Sequence, residues 1–536
     1  MENRALDIVR SYHQRTKHHL QAYAKGPYAL DWADQPDPFR RYAGCRSIDL
    51  PLCGARQPTR YDALFAPNGL PFRPLSLETI GVLLELGFGL SAWKQYGGER
   101  WALRCNPSSG NLHPTEAYLV ASGAVGIEPG VYHYVSHDHL LEQRCTWGHV
   151  ASSRPALLVG LTSIHWREAW KYGERAYRYC QHDVGHALAA LRYAAAVLGW
   201  RVQLLADWSD REIAALLGLE REEDFSGAER EYPDLLCRII VAEETDGAIA
   251  PNELLGIIRA GQWRGKANRL SPYHNNDWPV IGNVCRAAEK IRTEETVWTP
   301  EPTAPLQPTG CQSSAAAIIL QRRSAQRFDG RAALSAQAFF RMLDATLPHR
   351  GIPPLDLWPW RPRIHFILFV HRVDGLAPGL YAFSRDAAAA AAMRAAMDKD
   401  FAWERAAGCP GHLSFFRLLR SDCRQAARMV SCHQEIAADS AFSLGMIAEF
   451  DDALKEGPWV YCRLFWEAGL IGQILYLEAE ACGLRGTGIG CFFDDSMHDI
   501  VGLSDERFQD LYHFTVGGPL EDVRLQTLPP YTHLSK

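Results

Sequence analysis

Two long stretches of the sequence repeat apolar residues at intervals of three and four positions, as a buried α-helix does. They cover residues 182–199 and 466–483, and they end at Gly199 and Gly483. A glycine just beyond the last apolar turn is a common helix C-cap, because glycine adopts the left-handed backbone without steric cost. The pattern therefore predicts two apolar helices of similar length, one in each half of the chain.

Short apolar runs of the kind that form β-strands accompany both helices. Residues 117–125 and 365–373 precede the helices, and residues 235–242 and 511–516 follow them. Tight turns come directly after the first run in each half, so neighbouring strands are expected to pair antiparallel. Each half is therefore predicted to be an α+β domain, a mostly antiparallel sheet packed with helices.

The two halves share an ordered series of matching residues. The segment 126–132, Gly-Ile-Glu-Pro-Gly-Val-Tyr, recurs at 375–381 as Gly-Leu-Ala-Pro-Gly-Leu-Tyr, at an offset of 249. A second block recurs at a constant offset of 284, so the second copy contains an insertion of about 35 residues. An ordered series of this kind indicates a tandem duplication. The pairs in the second block are Lys171 with Lys455, Gly173 with Gly457, Tyr177 with Tyr461, Gly185 with Gly469, Gly199 with Gly483, and Arg201 with Arg485.

A proline-rich segment lies between the two copies. Residues 293–314 contain four prolines and show no apolar periodicity, which favours an extended backbone. We predict that this segment is an interdomain linker. It separates an N-terminal domain of residues 1–292 from a C-terminal domain of residues 315–536.

Composition and charge narrow the classes of function. The 536 residues include 56 Lys and Arg against 62 Asp and Glu, a formal net charge of −6, which provides no basic surface for nucleic acid or an anionic membrane. A hydrophobic fraction of 47% with 22% charged residues is typical of a globular protein. No apolar run approaches the roughly 20 residues of a membrane helix, and the N-terminus lacks the apolar core of a signal peptide. We expect a cytoplasmic protein with no nucleic-acid or membrane partner.

Cysteine and histidine spacing gives no support for a metal site. The 14 cysteines are scattered and none forms a Cys-x-x-Cys pair, so neither a zinc framework nor a dithiol motif is indicated, and we expect reduced cysteines. His182 and His186 are four residues apart on a predicted helix, as metal ligands can be. Their repeat counterparts, Trp466 and Leu470, are apolar, which favours an interior helix face. We expect no bound metal.

One segment near the start of the second copy concentrates positive charge. It reads Arg322-Arg323-Ser324, and Arg327 follows closely. Guanidinium groups bind phosphate oxygens in pairs, so this cluster suits a phosphate group. The alternative interpretation is a solvated helix end.

A second segment, in the first copy, combines small polar residues with turn formers. It contains Pro107, Ser108, Ser109 and Asn111. Such a turn exposes backbone N–H groups and side-chain donors that can hold the polar edge of a flat heteroaromatic ring. The alternative is a plain turn before a strand.

Together the two segments resemble the nitroreductase-like flavoprotein superfamily, whose members bind FMN between two subunits. The resemblance implies that the arginine–serine segment binds the phosphate and ribityl chain, and that the Pro-Ser-Ser turn contacts the same flavin from the partner subunit. It also implies that the glycine-rich Gly488-Ile489-Gly490 approaches the flavin closely. Arg524 is similar to the basic residue that completes the pocket near the domain's end.

Two phrases especially resemble the azoline oxidases of peptide-maturation systems. They are residues 104–120 and 166–186. In those enzymes a Lys-Tyr pair is thought to act as the base, and Lys171-Tyr172 is similar. An ammonium beside a phenol can lower the pKa of the tyrosine, and a desolvated lysine can itself be a base. The alternative is a surface lysine beside a packed tyrosine.

The two flavin-binding segments fall on opposite copies. The first copy has the Pro-Ser-Ser turn but no Arg-Arg-Ser segment, whereas residues 351–364 of the second copy contain neither Ser nor Asn. We therefore expect an intrachain pseudo-dimer with a single FMN site at the domain interface. One departure from the family is Gln326, which occupies the place of a cation found four residues after the first arginine.

These expectations describe an FMN-dependent oxidoreductase that transfers hydride between flavin and a small or peptide-derived substrate. One alternative is an NAD(P)H-dependent nitro or quinone reductase. Another is a non-enzymatic flavin-binding interaction protein. A Rossmann domain is not expected, because residues 486–490 follow a helix and lack the Gly-x-Gly-x-x-Gly spacing.

Overall fold

Helices and strands occur along the whole chain. The computed structural model describes residues 2–66, 69–122, 126–148, 156–243, 251–301 and 304–534. The end of the predicted strand 117–125 lies outside these residues. The helices are α1 (Glu2–Arg15), α2 (Leu77–Phe88), α3 (His165–Tyr172), α4 (Ala176–Val197), α5 (Asp210–Leu217), α6 (Pro251–Arg259), α7 (Pro279–Ala287), α8 (Ala315–Gln321), α9 (Ala336–Ala345), α10 (Ala387–Ala396), α11 (Arg424–Val430), α12 (Glu435–Asp439), α13 (Phe450–Leu454), α14 (Val460–Ala481) and α15 (Asp494–Val501).

The strands form two large sheets and two small ones. They are β1 (Tyr42–Ala43), β2 (Arg46–Asp49), β3 (Leu90–Tyr96), β4 (Glu99–Arg104), β5 (Thr115–Ser122), β6 (Gly130–Val135), β7 (Leu140–Thr146), β8 (Ala156–Ser163), β9 (Arg201–Leu204), β10 (Tyr232–Ile240), β11 (Gln262–Trp263), β12 (Lys266–Ala267), β13 (Ile364–Val370), β14 (Gly379–Ser384), β15 (Glu404–Arg405), β16 (Ser414–Arg420), β17 (Phe442–Glu449), β18 (Arg485–Ile489), β19 (Phe508–Gly517) and β20 (Gln526–Leu528).

The two large sheets have the same topology. The first has the order β11-β7-β6-β5-β8-β10-β9, with β2 beside β7, and the second has the order β15-β16-β14-β13-β17-β19-β18. The strand pairs in both are antiparallel. Six neighbouring strands of one sheet therefore match six of the other in both spatial and chain order. This confirms the predicted α+β class with two mostly antiparallel sheets.

The two predicted apolar helices are α4 and α14, each 22 residues long and buried along almost its whole length. They begin earlier than predicted, at Ala176 and Val460. They end where predicted, because Gly199 and Gly483 adopt left-handed backbones with φ of 71° and 73°. Apolar residues on all sides of a helix require burial on all sides. Both helices meet this requirement by packing against each other and against the surrounding helices and sheets.

A pair of glycines explains how α4 and α14 approach so closely. A Cβ on Gly185 would lie 2.1 Å from the carbonyl oxygen of Trp466, and a Cβ on Gly469 would lie 2.1 Å from that of His182. The two glycines are 284 positions apart in the sequence, and so are their contact partners His182 and Trp466. Such reciprocal contacts are what a two-fold interface produces. The two copies therefore meet as the subunits of a symmetric dimer would.

Both chain ends pack on the opposite half. Helix α1 contacts the second half through Arg10, which pairs with Asp451 and Glu506 at 2.5 Å each. Strand β20 pairs with β3 of the first half. The predicted linker 293–314 has no helix or strand among its described residues, but Glu295 contacts Arg463 at 2.5 Å. The domain boundaries stay a prediction, because each end crosses to the other half.

Within the described residues, no helix has both the length and the apolar character needed to cross a membrane.

Candidate functional site

A cavity of about 430 Å³ opens between the two halves, and both of them line it. The first half contributes the turn between β4 and β5, the end of α3, and three side chains of α4. The second half contributes the segment after α8, strand β18 with the residues that follow it, and the segment after β19. Most sequence-predicted site residues lie in its wall. They are Pro107, Ser108, Ser109, Asn111, Tyr172, Arg322, Arg323, Ser324, Gly488, Ile489 and Gly490.

Three predicted residues lie outside this lining. Lys171 packs behind the turn, with its Nζ 3.1 Å from where a Cβ on Gly110 would be. Arg327 is exposed. Arg524 is also exposed, by 68%, and its Nη2 and Nε bind Asp522 at 2.6 and 2.9 Å. Arg524 is not among the residues that line the cavity; its exposed guanidinium pairs with Asp522, a carboxylate that does line it.

Arg322 is buried in the cavity wall without a carboxylate partner among the described residues. Only 3% of it is exposed, and its Nε and Nη2 donate to the carbonyls of Cys105 and Arg104 at 3.1 and 3.0 Å. The ring of Tyr476 lies 5.0 Å from its guanidinium carbon. Burial lowers the pKa of Arg322, since neutral carbonyls compensate a buried cation only in part. This end of the cavity therefore favours an anion.

Two further arginines surround Arg322. Arg323 donates to the hydroxyl and carbonyl of Ser91 at 3.1 and 2.9 Å, and burial together with the charge of Arg322 lowers its pKa to about 10. Arg485, on β18, contacts Glu480 at 3.3 Å and also pairs with Glu521. Clustered guanidinium groups with incomplete compensation are the usual setting for phosphate binding.

The turn formed by residues 107–111 also lines the cavity and is held by its own polar side chains. Gly110 and Asn111 both have φ of 60°, and the side chain of Asn111 donates to the carbonyl of Ala102 at 2.8 Å and accepts from His113 at 2.9 Å. The hydroxyl of Ser108 accepts the N–H of His113 at 2.8 Å. Asn111 therefore acts mainly by fixing the turn, whose backbone then faces the cavity.

A group of acids and a phenol lies beneath this turn. Asp183 accepts the N–H and hydroxyl of Ser109 at 3.1 and 3.3 Å, and burial raises its pKa to about 7. Glu168 is fully buried, and both burial and Asp183 raise its pKa well above the usual range. Burial, followed by Glu168, also raises the pKa of Tyr172. The pKa of Tyr172 is therefore raised, because desolvation and neighbouring acids dominate its surroundings, whereas an ammonium alone would lower it.

Glycines in the β18 segment make room for tyrosines. A Cβ on Gly488 would lie 1.9 Å from the hydroxyl of Tyr512, and one on Gly490 would lie 2.3 Å from a ring carbon of Tyr179. The hydroxyl of Tyr179 donates to the carbonyl of Gly490 at 3.0 Å. These contacts position the two tyrosines in the cavity wall. The two glycines allow this packing because a side chain at either position would collide with a tyrosine.

His182 and His186 are buried inside the protein, as their apolar repeat partners indicated. His182 stacks on Tyr512 with ring centroids 4.3 Å apart, and Nε2 of His186 lies 3.0 Å from the Tyr512 hydroxyl. Burial lowers the pKa of both imidazoles, so they are neutral.

Sequence reasoning missed several residues of the cavity wall. Tyr476 links Ser324 and Gly488, since its hydroxyl lies 2.7 Å from the Ser324 hydroxyl and accepts the Gly488 N–H at 2.9 Å. Nothing in an apolar helix marks Tyr476 as a site residue. Asp183 and Arg485 offered a signal: one is a carboxylate in an otherwise apolar helix, and the other belongs to the repeat series.

At the pseudosymmetric position, the repeat partners of two cavity-wall residues form ion pairs. Arg463 is the repeat partner of Tyr179, and the ring of Trp360 lies 4.0 Å from its guanidinium carbon while Glu295 of the predicted linker binds it at 2.5 Å. Arg192, the repeat partner of Tyr476, binds Asp356 at 2.7 and 2.8 Å. Both arginines are therefore already compensated by carboxylates, unlike Arg322 in the first cavity.

Comparison with known proteins agrees with this architecture. No protein-family model matches the chain. A crystal structure of a candidate nitroreductase from Anabaena variabilis superposes with a TM-score of 0.69 at 22% identity, covering 96% of this chain and 99% of the other. A candidate nitroreductase of Methanocaldococcus jannaschii is 24% identical over 177 residues, which cover 31% of this chain and 81% of that protein.

A second sequence relative has a more specialised name. The trifolitoxin-processing protein TfxB of Rhizobium leguminosarum bv. trifolii is 32% identical over 145 residues, 23% of this chain. The match spans only 38% of TfxB. The chain therefore has a nitroreductase-like fold, whose strand order occurs twice, and part of its sequence is similar to TfxB.

Proposed function

We propose that the chain is an FMN-dependent oxidoreductase with one FMN site, the cavity between its two halves, and that it transfers hydride between flavin and a small or peptide-derived substrate. One observation carries the proposal. The buried guanidinium of Arg322 has no carboxylate partner among the described residues and lies in the wall of a cavity that the Pro107–Asn111 turn also lines. A buried cation in this setting requires an anionic ligand to be fully compensated.

The residues present fit FMN. A cavity of about 430 Å³ has the size of ordinary cofactor sites. Arg322 and Arg485, with the hydroxyl of Ser324, would hold the phosphate and ribityl chain. The turn at Ser108 and Ser109, together with the backbone at Gly488 and Gly490, would hold the ring. FMN bound in this way would supply a hydride acceptor and donor.

The chain's own residues would manage the proton that accompanies hydride transfer. The phenol of Tyr172 keeps its proton at neutral pH, because burial raises its pKa. Its O–H can therefore donate to a substrate atom in the cavity. Asp183, whose pKa is about 7, can hold or release a proton at its carboxylate oxygens. The Nζ of Lys171 lies 5.2 Å from the centroid of the Tyr172 ring, and its positive charge would stabilise negative charge within this group.

Single occupancy follows from the asymmetry between the two interface positions. At the equivalent position, Arg463 pairs with Glu295 and Arg192 pairs with Asp356, so these arginines already have carboxylate partners. We therefore expect one flavin per chain. Flavin released by acid and measured against protein concentration tests this, and a value near two contradicts it.

Two variants test the placement of the phosphate. Arg322→Ala is expected to lose flavin during purification, because the phosphate would lose a buried, desolvated partner. Arg524→Ala is the matched control: it removes an equal charge from the surface and should remain fully yellow. Equal flavin content in the two variants refutes the site.

The direction of hydride flow separates two forms of this function. The names of two relatives suggest reduction of nitro compounds, and that of TfxB suggests processing of a toxin. Anaerobic mixing of the oxidised protein with NADPH decides between them. Rapid bleaching of the flavin supports a reductase, whereas a stable flavin that bleaches only with a peptide carrying reduced heterocycles supports a dehydrogenase. Protein that neither retains nor takes up FMN supports the non-enzymatic alternative.

A further inference from the structure

Two cysteines meet at the edge of the cavity. Cys491 follows Gly490 after β18 and lines the cavity, and Cys432 lies in the turn between α11 and α12. Their sulfur atoms are 2.6 Å apart, although the residues are 59 positions apart in the sequence. Both side chains are half-buried, so small reagents can reach them.

The backbone holds these two segments together independently of the sulfurs. The side chain of Gln434 donates to the carbonyl of Cys491 at 3.1 Å, and the N–H of Phe493 donates to the carbonyl of Val430 at 2.8 Å. Cys432 and His433 have φ of 51° and 59°, in the left-handed region that non-glycine residues rarely adopt. Two consecutive residues of this kind mark a conformation that the surroundings impose, as functional sites often do.

The surroundings distinguish the two thiols. A hydrogen bond from Cys432, followed by contributions from His18 and Arg175, lowers the pKa of Cys491 to about 5. The same interaction raises the pKa of Cys432. Nδ1 of His18 accepts the N–H of Ala24 at 2.9 Å. The ring proton of His18 is therefore on Nε2, which can donate a hydrogen bond. A thiolate beside a protonated thiol is the arrangement of reactive cysteine pairs.

We propose that Cys432 and Cys491 form a reversible disulfide by exchange with low-molecular-weight disulfides, with Cys491 as the attacking sulfur. The Cys491 thiolate attacks one sulfur of the reagent, whose S–S bond breaks and releases one thiolate. The Cys432 sulfur then attacks the Cys491 sulfur of this mixed disulfide, loses its proton to solvent, and expels the second thiolate. In total, two protein thiols are oxidised and one small disulfide is reduced to two thiols.

Glutathione disulfide and the full-length protein provide the test. The protein is reduced, freed of reductant under argon, exposed to glutathione disulfide and quenched with acid before peptide mass spectrometry. We expect a peptide pair joined through Cys432 and Cys491, with two glutathione thiols released per chain. A different pairing, or glutathione spread over other cysteines, overturns the proposal. The experiment needs no flavin, so its outcome is independent of the proposed function.

Variants separate the roles of the two sulfurs. Cys432→Ser should trap glutathione on Cys491, since no second thiol remains to expel it. Cys491→Ser should react more slowly than wild type by about tenfold or more, because the remaining thiol is protonated. Cys482→Ser is the matched control: burial raises that thiol's pKa to about 12, so reaction at the wild-type rate is expected. A Cys491→Ser protein that keeps the wild-type rate and circular dichroism contradicts the assignment. If that variant misfolds, the wild-type peptide map alone decides.

Discussion

Asp183 is a cavity-lining carboxyl whose protonation changes near neutral pH. Burial raises its pKa to about 7, above the ordinary value for an aspartate in an unfolded chain. The folded protein therefore binds a proton more tightly than the unfolded chain, and its stability falls as the pH rises towards 7. Asp183→Asn is uncharged throughout. We expect its loss of unfolding free energy between pH 5 and pH 8 to be smaller than that of wild type by about 1 kcal/mol or more.

Urea unfolding at pH 5 and pH 8 measures this difference. Asp234 and Asp210, whose pKa values burial also raises to about 7, remain in both proteins and cancel in the comparison. Asp522→Asn is the control: Arg524 lowers the pKa of Asp522 to about 2, so it does not titrate in this interval. Identical pH dependence in Asp183→Asn and wild type would show that Asp183 is ionised across the whole range.

Single residues also show where sequence reasoning reaches its limit. Arg322 and Arg524 are both arginines in family-like segments, and only Arg322 lines the cavity. The sequence contained no sign that Asp522 would hold Arg524 at the surface. Burial and Glu168 raise the pKa of Tyr172, the opposite of the direction that a neighbouring ammonium favours. Residue types and spacing identify candidates, whereas desolvation and competing partners decide their chemistry.

At the scale of elements, the contact of α4 with α14 depends on two glycines. A Cβ on Gly185 would lie 2.1 Å from a backbone oxygen of Trp466, and neither helix can yield by moving a flexible side chain. Gly185→Ala is therefore expected to push the helices apart and to lower the unfolding free energy by about 1–3 kcal/mol. Urea unfolding followed by circular dichroism measures the loss.

Gly87 in α2 offers a matched control for this substitution. It is also a buried helical glycine, but the nearest atom to an added Cβ is 3.7 Å away, an ordinary contact. Gly87→Ala should leave stability unchanged or raise it by about 0.5–1 kcal/mol, because alanine favours the helix more than glycine does. Equal effects of the two substitutions would mean that the glycines matter for helix propensity and not for the helix crossing.

The sequence predicted α4 and α14 well, because both the apolar periodicity and the internal repeat indicated these two helices. Apolar spacing located α4 and α14, and the constant offset of 284 paired Gly185 with Gly469 before any contact was known. The exchange of chain ends was not predictable in this way. Helix α1 and strand β20 bind partners more than 400 residues away in the chain, and no local pattern encodes such pairing.

For the molecule as a whole, a buried ion-pair cluster joins the two halves. Asp494, at the start of α15, is fully buried and binds Arg175 at 3.0 Å and Arg178 at 2.7 Å, both from the first half. Burial alone would raise the pKa of Asp494, but the two guanidinium groups outweigh it and hold the pKa well below its usual range. Through Arg178, the cluster links the second half to α4, the helix that also contains Asp183.

Asp494→Asn is expected to destabilise the protein by about 3–5 kcal/mol at pH 7, because it leaves two buried guanidinium groups without a counterion. Since the folded pKa is lowered, the contribution of Asp494 is complete above the unfolded value of about 3.9 and disappears as the pH falls below it. The stability gap between variant and wild type should therefore narrow in acid. Asp495→Asn controls for the position: Asp495 is 44% exposed and binds Lys17 at 2.7 Å, so its loss should cost about 0–1 kcal/mol. Urea unfolding of the three proteins at pH 7 measures this difference, and equal stability of the two variants would mean that the Asp494 cluster does not stabilise the association of the halves.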